Sequence, residues 1–140
     1  LEYFEAKLNQ IRNYKKLILM AIHSASSKFG KTLIQEQEVL NNLTDMIIEV
    51  YLAESLALRI QKRETLLGED ATGIYRAILD VFVYDTADKL RKCAMDAFGS
   101  MEIADFHAIT EKLTTPGMVN VKELRRKIAA KLIEENKYTF

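Results

Sequence analysis

Two histidines, one cysteine and a few carboxylates set among apolar residues are the groups in this chain whose types could support chemistry. A carboxylate-bridged metal centre in a helical bundle needs Glu-x-x-His pairs on two helices and a further Glu from each of two others. The residues three before His23 and His107 are Met20 and Ala104, so that pattern is absent. His107 has Glu111 one helical turn later and Asp105 close by; this is half a metal site at most, and it reads as a surface ion pair. His23, between Leu19 and Ser27 on its own face, reads as a hydrogen-bonded core or boundary residue. Cys93 adjoins Arg91 and Lys92, whose charges would favour a thiolate if they approached it. Its row also holds Lys89, Leu90 and Ala97, which places it as a small buried hydrophobe rather than a nucleophile. No glycine-rich phosphate loop and no serine–base motif is present. Catalytic, cofactor-binding and metal-binding residues are therefore not expected within these residues.

The remaining polar signals concern charge. Asp45 and Glu49 lie one turn apart, so like charges share a helix face unless a cation answers them. Asp80 is embedded in an apolar run from Ile78 to Tyr84, with Arg76 one turn before it. Structural ion pairs across helices are expected for both, with Arg59, Arg76 or Arg12 as partners; a catalytic role would require these carboxylates to line one pocket. Near the C-terminus Lys122, Arg125, Arg126, Lys127 and Lys131 form a basic face opposed mainly by Glu123. Such a face suits solvent first, and a partner or an anionic lipid surface second. No aromatic residue interleaves it for base stacking, and 20 Lys+Arg balance 20 Asp+Glu, so nucleic acid is not expected.

These residues must be carried by helices. The chain has 140 residues, 49% of them apolar, with 5 Gly and 1 Pro as the only strong helix breakers. A 3.6-residue apolar repeat predicts a first helix from Glu2 to Phe29, ended by Gly30. Thr32 with Gln35 reads as a capping box opening a second helix that runs to Glu64. Thr65 to Gly73 is a reversing loop, and a third helix extends from Thr72 to Phe98 with Gly99 closing it. Ser100 caps a short fourth segment ending near Leu113; after Pro116 and Gly117, Asn120 with Glu123 forms a second capping box for a last helix to Asn136, striped by Val121, Leu124, Ile128 and Leu132. No strand-type alternation or repeat is visible. The expected architecture is all-α: an up-down-up-down four-helix bundle whose fourth element is broken, with residues 100–113 either kinked from the last helix or, preferably, lying across one end.

A lone cysteine excludes an intramolecular disulfide and a cysteine-based zinc cage, and the longest apolar run, Leu17 to Ile22, falls far short of the ~18 residues of a membrane span. A start at Leu1 without a secretory leader suggests an excised domain. Apolar residues occur in excess of one stripe at Leu17 to Ile22, between Met46 and Ile60, and from Ile74 to Tyr84. Since one bundle needs a stripe little wider than 100°, an outer face is expected to meet something beyond these residues.

The second helix carries a family resemblance. Glu36-Gln37, Val39-Leu40, Leu43, Asp45, Ile48-Glu49, Tyr51 and Leu58-Arg59 resemble, without gaps, a helix in the C-terminal region of acyl-CoA dehydrogenases of the extended, very-long-chain type. A preceding helix ending Lys28-Phe29-Gly30, a later helix like Val121 to Glu135 and an aromatic tail at Lys137 to Phe140 are similar to the rest of that extension. The resemblance implies that residues 1–140 are a single C-terminal bundle of a larger flavoenzyme. Its parent would remove hydrogens from the α and β carbons of a fatty acyl-CoA and pass electrons through FAD. The glutamate base, the flavin contacts and the acyl-CoA pocket would lie upstream. This domain would then dock on the catalytic body of the same chain and support a homo-oligomer, in the cytoplasm or, in a eukaryote, the mitochondrion. The alternative expectation is a peripheral membrane or partner-binding module that uses Lys122, Arg125, Arg126 and Lys131.

Overall fold

The computed structural model describes residues 2–70, 72–103, 105–115 and 118–140, and among these it contains five α-helices and no strand. They are α1 (Glu2–Phe29), α2 (Gln37–Leu67), α3 (Gly73–Ser100), α4 (Phe106–Thr114) and α5 (Val121–Glu135), with a 3-10 segment, Gly30–Gln35, between α1 and α2. The buried positions of α2 are Val39, Leu43, Met46, Val50, Ala53, Ala57 and Ile60. Their alternating steps of four and three give the 3.5-residue repeat of helices that coil left-handedly round one another. Ile11, Tyr14, Ile18, Ala21 and Ala25 repeat the pattern in α1, as do Leu79, Val83, Ala87, Leu90, Ala94 and Ala97, nearly, in α3. Alanine at so many seam positions lets the helix axes approach towards the lower end of the 8–10 Å packing range.

Cross-helix pairs fix the directions. Glu64 on α2 meets Arg76 on α3, and Glu49 meets Lys89, so these two helices run antiparallel either side of a turn at Gly68, whose φ of 88° suits glycine. The buried Tyr14 hydroxyl donates to the Val83 carbonyl at 3.1 Å, and Tyr3 reaches Asp80, so α1 runs parallel to α3. Burial pushes the Tyr14 phenol up to about 12, since a phenolate there would be desolvated.

The fourth position departs from expectation. The short segment that forms α4 does not lie across one end. Phe106 stacks on Phe98 with ring centroids 4.3 Å apart, Glu111 meets Arg91, Arg125 meets Asp85 at 2.9 Å, and Phe140 meets the Tyr75 ring edge-on. Descending numbers on α3 thus meet ascending numbers on the C-terminal segment: α4 and α5 together return along α3 as a broken antiparallel helix. α4 packs against α1 as well as α3, whereas α5 packs on α3 and has no fully buried residue.

Local signals also shifted. Thr32 does not cap α2; its hydroxyl donates to the Phe29 carbonyl at 2.6 Å within the 3-10 segment, and α2 starts at Gln37. α2 runs three residues past Glu64, to Leu67. Gly99 lies inside α3, and Ser100 ends that helix by donating to the Ala97 carbonyl, with the left-handed turn falling at Glu102 (φ 58°). Asn120 does cap α5, accepting from the Glu123 backbone N–H at 3.2 Å, and Asn136 terminates it in the left-handed region. The Pro116–Gly117 break lies outside the described residues.

Candidate docking surface

The bundle hides its apolar excess unevenly. From Ile74 to Tyr84 every residue of α3 is buried or half-buried, because α3 is packed by all four other α-helices. In α1, Leu17, Ile18 and Ala21 enter the core and Leu19, 65% exposed, does not. α2 differs. Outside its buried seam it carries a second apolar row, Ile47, Ile48, Tyr51, Leu52 and Leu58, all exposed, with Tyr51 at 70%. At about 100° per residue, Ile47, Leu58 and Tyr51 fall together beside the seam, and Ile48 and Leu52 continue the row round the outer face of α2 towards α3. Leu19 joins them across the α1–α2 groove, a depression of about 290 Å³ lined by Ile18, Leu19, Ile47, Val50 and Tyr51, with the Lys15–Glu54 ion pair at its rim. With α4 packed against α1 and α3 and α5 against α3, neither reaches this side of the bundle.

A polar clamp joins α1, α2 and α3 at the end of the bundle where α2 turns into α3. Arg76 donates from Nε to Glu64 at 2.8 Å and from Nη2 to the other carboxylate oxygen, a two-pronged pair, and its guanidinium lies 4.4 Å from the Tyr3 ring centroid. Tyr3 donates to Asp80 at 2.5 Å, and Lys7 bonds the same carboxylate oxygen at 2.8 Å. The Arg76 guanidinium holds the Glu64 carboxyl below the usual carboxylate range. Burial, followed by the adjoining Asp80 carboxylate, raises the Tyr3 phenol.

The residues singled out from sequence fall in different places. Asp80 pairs with Lys7, Glu49 with Lys89 at 3.4 Å and Arg76 with Glu64; Arg12 bonds Asn9 on its own helix. Thus the cations that answer Asp80 and Glu49 are lysines rather than the expected arginines, and Asp45 and Arg59 are exposed with no ion pair among the described residues. Asp45 and Glu49 do share a groove, of about 570 Å³, with Asp88, Lys89, Lys92 and Cys93; Asp80 lies elsewhere, so the three carboxylates do not line one cavity. Burial, reinforced by Asp45, Asp96 and Glu49 against the opposing Lys92, raises the Cys93 thiol. His23 is exposed, not at the core boundary. His107 is exposed too, and Glu111 pairs with Arg91 rather than with it. On α5, Arg125 is held by Asp85 and Lys131 by Glu135, while Lys122 and Arg126 face solvent. Among the described residues no group of three metal-ligating side chains converges, and no helix is long and apolar enough to cross a membrane.

Reasoning from sequence missed Tyr3, Lys7 and Glu64. Tyr3 and Lys7 join α3 over more than seventy positions, which no local pattern reports. Glu64 and Arg76 flank the helix-reversing turn with opposite charge, a signal that was legible.

Residues 13–112 match the family model described as the acyl-CoA dehydrogenase C-terminal domain. The chain belongs to that family. A probable acyl-CoA dehydrogenase of Bacillus subtilis (strain 168) is 30% identical over 133 residues, covering 92% of this chain and 22% of that protein. A crystal structure of acyl-CoA dehydrogenase complexed with FAD from Bacillus anthracis superposes with a TM-score of 0.91 at 29% identity, over 96% of this chain and 24% of that one. This acyl-CoA dehydrogenase C-terminal domain therefore spans about a quarter of the length of the relatives it matches. The groove of about 570 Å³ does not fit a dinucleotide such as FAD: Asp45, Glu49 and Asp88 line it, and its two lysines, Lys89 and Lys92, are already engaged by Glu49 and Asp96.

Proposed function

We propose that this chain is the non-catalytic terminal bundle of an FAD-dependent acyl-CoA dehydrogenase of fatty acid β-oxidation, that it docks through the α1–α2 face onto the catalytic body of the same polypeptide, and that it supports the enzyme's homo-oligomer. The observation carrying this reading is the uncovered row Ile47, Ile48, Tyr51, Leu52 and Leu58 with Leu19 beside it. Water-facing aliphatic and aromatic side chains in one contiguous band are costly unless another surface covers them. The matched relatives are some four times longer than this chain, which supplies such a surface in the form of the remaining polypeptide.

Hydroxyl-radical footprinting tests the reading without altering the protein. Tyr51 should be oxidised rapidly in the 140-residue chain and at least about tenfold more slowly in the full-length protein, as expected for a residue going from mostly exposed to interface core. Equal rates in the two would refute docking through this face. For the oligomer, Leu19→Glu with Tyr51→Glu in the full-length protein should shift the mass measured by light scattering to a smaller species; an unchanged mass separates docking from assembly and overturns the second role.

A membrane-surface reading has one observation in its favour. Lys122, Arg126 and Ile133 share the outer face of α5, and Ile133 and Met118 are fully or largely exposed. Salt-sensitive flotation with anionic vesicles, abolished by Lys122→Glu with Arg126→Glu, would establish it; absence of flotation at low salt would dismiss it.

A further inference from the structure

Beside the docking row, on the flank of α2 turned to the start of α3, Leu56, Arg59, Ile60 and Arg63 follow one another at i, i+3, i+4 and i+7 and so form a single helical face that borders Leu52. Tyr75 and Ile78 of α3 supply the second wall, and the tail folds back to supply the third, with Tyr138 and Phe140. The space between these walls, open to solvent on one side, is about 380 Å³, at the lower end of the range of small-molecule sites. Its rings are already ordered: Phe140 meets Tyr75 edge-on at 6.2 Å and Tyr138 at 5.5 Å.

The charges of this pocket are uncompensated. Arg76, Arg91 and Arg125 each hold a carboxylate, whereas Arg59 and Arg63 have no salt bridge among the described residues. Two like charges one turn apart repel, and the guanidinium of Arg63 rests instead on the Tyr75 face, 4.6 Å from the ring centroid. One carboxylate could answer one of these guanidiniums. A phosphate carrying about two negative charges could answer both, and guanidinium geometry is matched to its oxygens. The aromatic rings beside them offer platforms for a flat ring system.

We infer that the Arg59–Arg63–Tyr75–Tyr138 pocket is a binding site for a mononucleotide-sized ligand, with its phosphates on the two arginines and its base against the aromatic rings. The pocket opens on the α2–α3 side while Tyr51 and Leu19 flank the α1–α2 groove, so the ADP titration and the Tyr51 footprint succeed or fail separately. Titration calorimetry of ADP into the full-length protein should show a site whose affinity falls at least about tenfold in an Arg59→Gln, Arg63→Gln variant, corresponding to the loss of charge-assisted hydrogen bonds. Both positions are on the helix surface, so the variant should keep its melting temperature. Tyr138→Ala, in the tail and outside every helix, should weaken ADP while leaving pyrophosphate unchanged. The inference is overturned if ADP binds the double variant as it binds the unaltered protein, if no ADP heat appears up to millimolar concentration, or if pyrophosphate binds as tightly as ADP and Tyr138→Ala affects neither.

Discussion

Replacing Glu64 by Gln keeps the shape of the side chain and removes its charge, which makes it a clean probe of the clamp joining α2, α3 and the start of α1. Exposed ion pairs contribute about 0.2–1 kcal/mol, and breaking a fully buried one costs about 3–5 kcal/mol. Arg76 and Glu64 retain 22% and 12% side-chain exposure, so the pair lies between these limits. The alternative acceptor, Glu69, is 71% exposed at 3.4 Å and restores little. We expect a loss of about 2 kcal/mol at pH 7. With an unfolding entropy near 2.1 cal/mol/K per residue, a 140-residue chain should then melt about 7 °C lower. The pH dependence gives the sharper test. Arg76 holds the Glu64 carboxyl below its ordinary 4.5 in the folded state. A lowered folded value means stability that is fully present above the unfolded value and lost as pH falls through the folded one. The gap between Glu64→Gln and the unaltered chain should therefore be widest near neutrality and close in acid. Urea midpoints at a series of pH values measure it. A gap that is absent at pH 7, or one that persists undiminished at the acid end, would refute the charge-based account.

Two further outcomes follow from burial. Leu79→Ala, at a site with 0% exposure, should cost about 2–5 kcal/mol in chemical denaturation, while Leu52→Ala, at 45% exposure, should leave the stability of this chain nearly unchanged; comparable losses would contradict the core assignment. Cys93 should alkylate slowly at neutral pH, because burial and the Asp45 and Glu49 carboxylates favour its thiol form, and Asp45→Asn with Glu49→Gln should speed the reaction; a fast rate in the unaltered chain would contradict that environment.

Helix content was legible because apolar residues at steps of three and four over long stretches can bury one face only as helix, and few glycines interrupt them. Element ends were less so. Gly99 looked like a terminator, but a helix whose Ala97 and Phe98 are held in the core runs through it and stops where Met101 caps against Ala97. Thr32 had capping spacing, yet it sits in a 3-10 segment where its hydroxyl finds the Phe29 carbonyl first. The course of α4 depended on Phe106 stacking with Phe98 and on Glu111 reaching Arg91, both contacts across a turn that no local pattern reports. Similarly, Asp80 announced a buried partner without identifying Lys7, which lies on another helix.

The excess of apolar residues was visible from the start in α1, α2 and α3, but its meaning differs among them and was decided by topology. α3 is as apolar on several sides as α2, yet it stands at the centre, where α1, α2, α4 and α5 cover it. That excess is core. α2 has a complete seam of its own at Val39 to Ile60, and its second row lies outside that seam. Retaining Ile47, Tyr51 and Leu58 in water would be hard to account for if these residues met only solvent, since aliphatic exposure of that extent invites self-association. The row is accounted for if α2 belongs to two packed layers, one inside these residues and one formed with a surface outside them. On that argument the measure of the docking role is the difference between the accessibility of Tyr51 alone and in the longer protein.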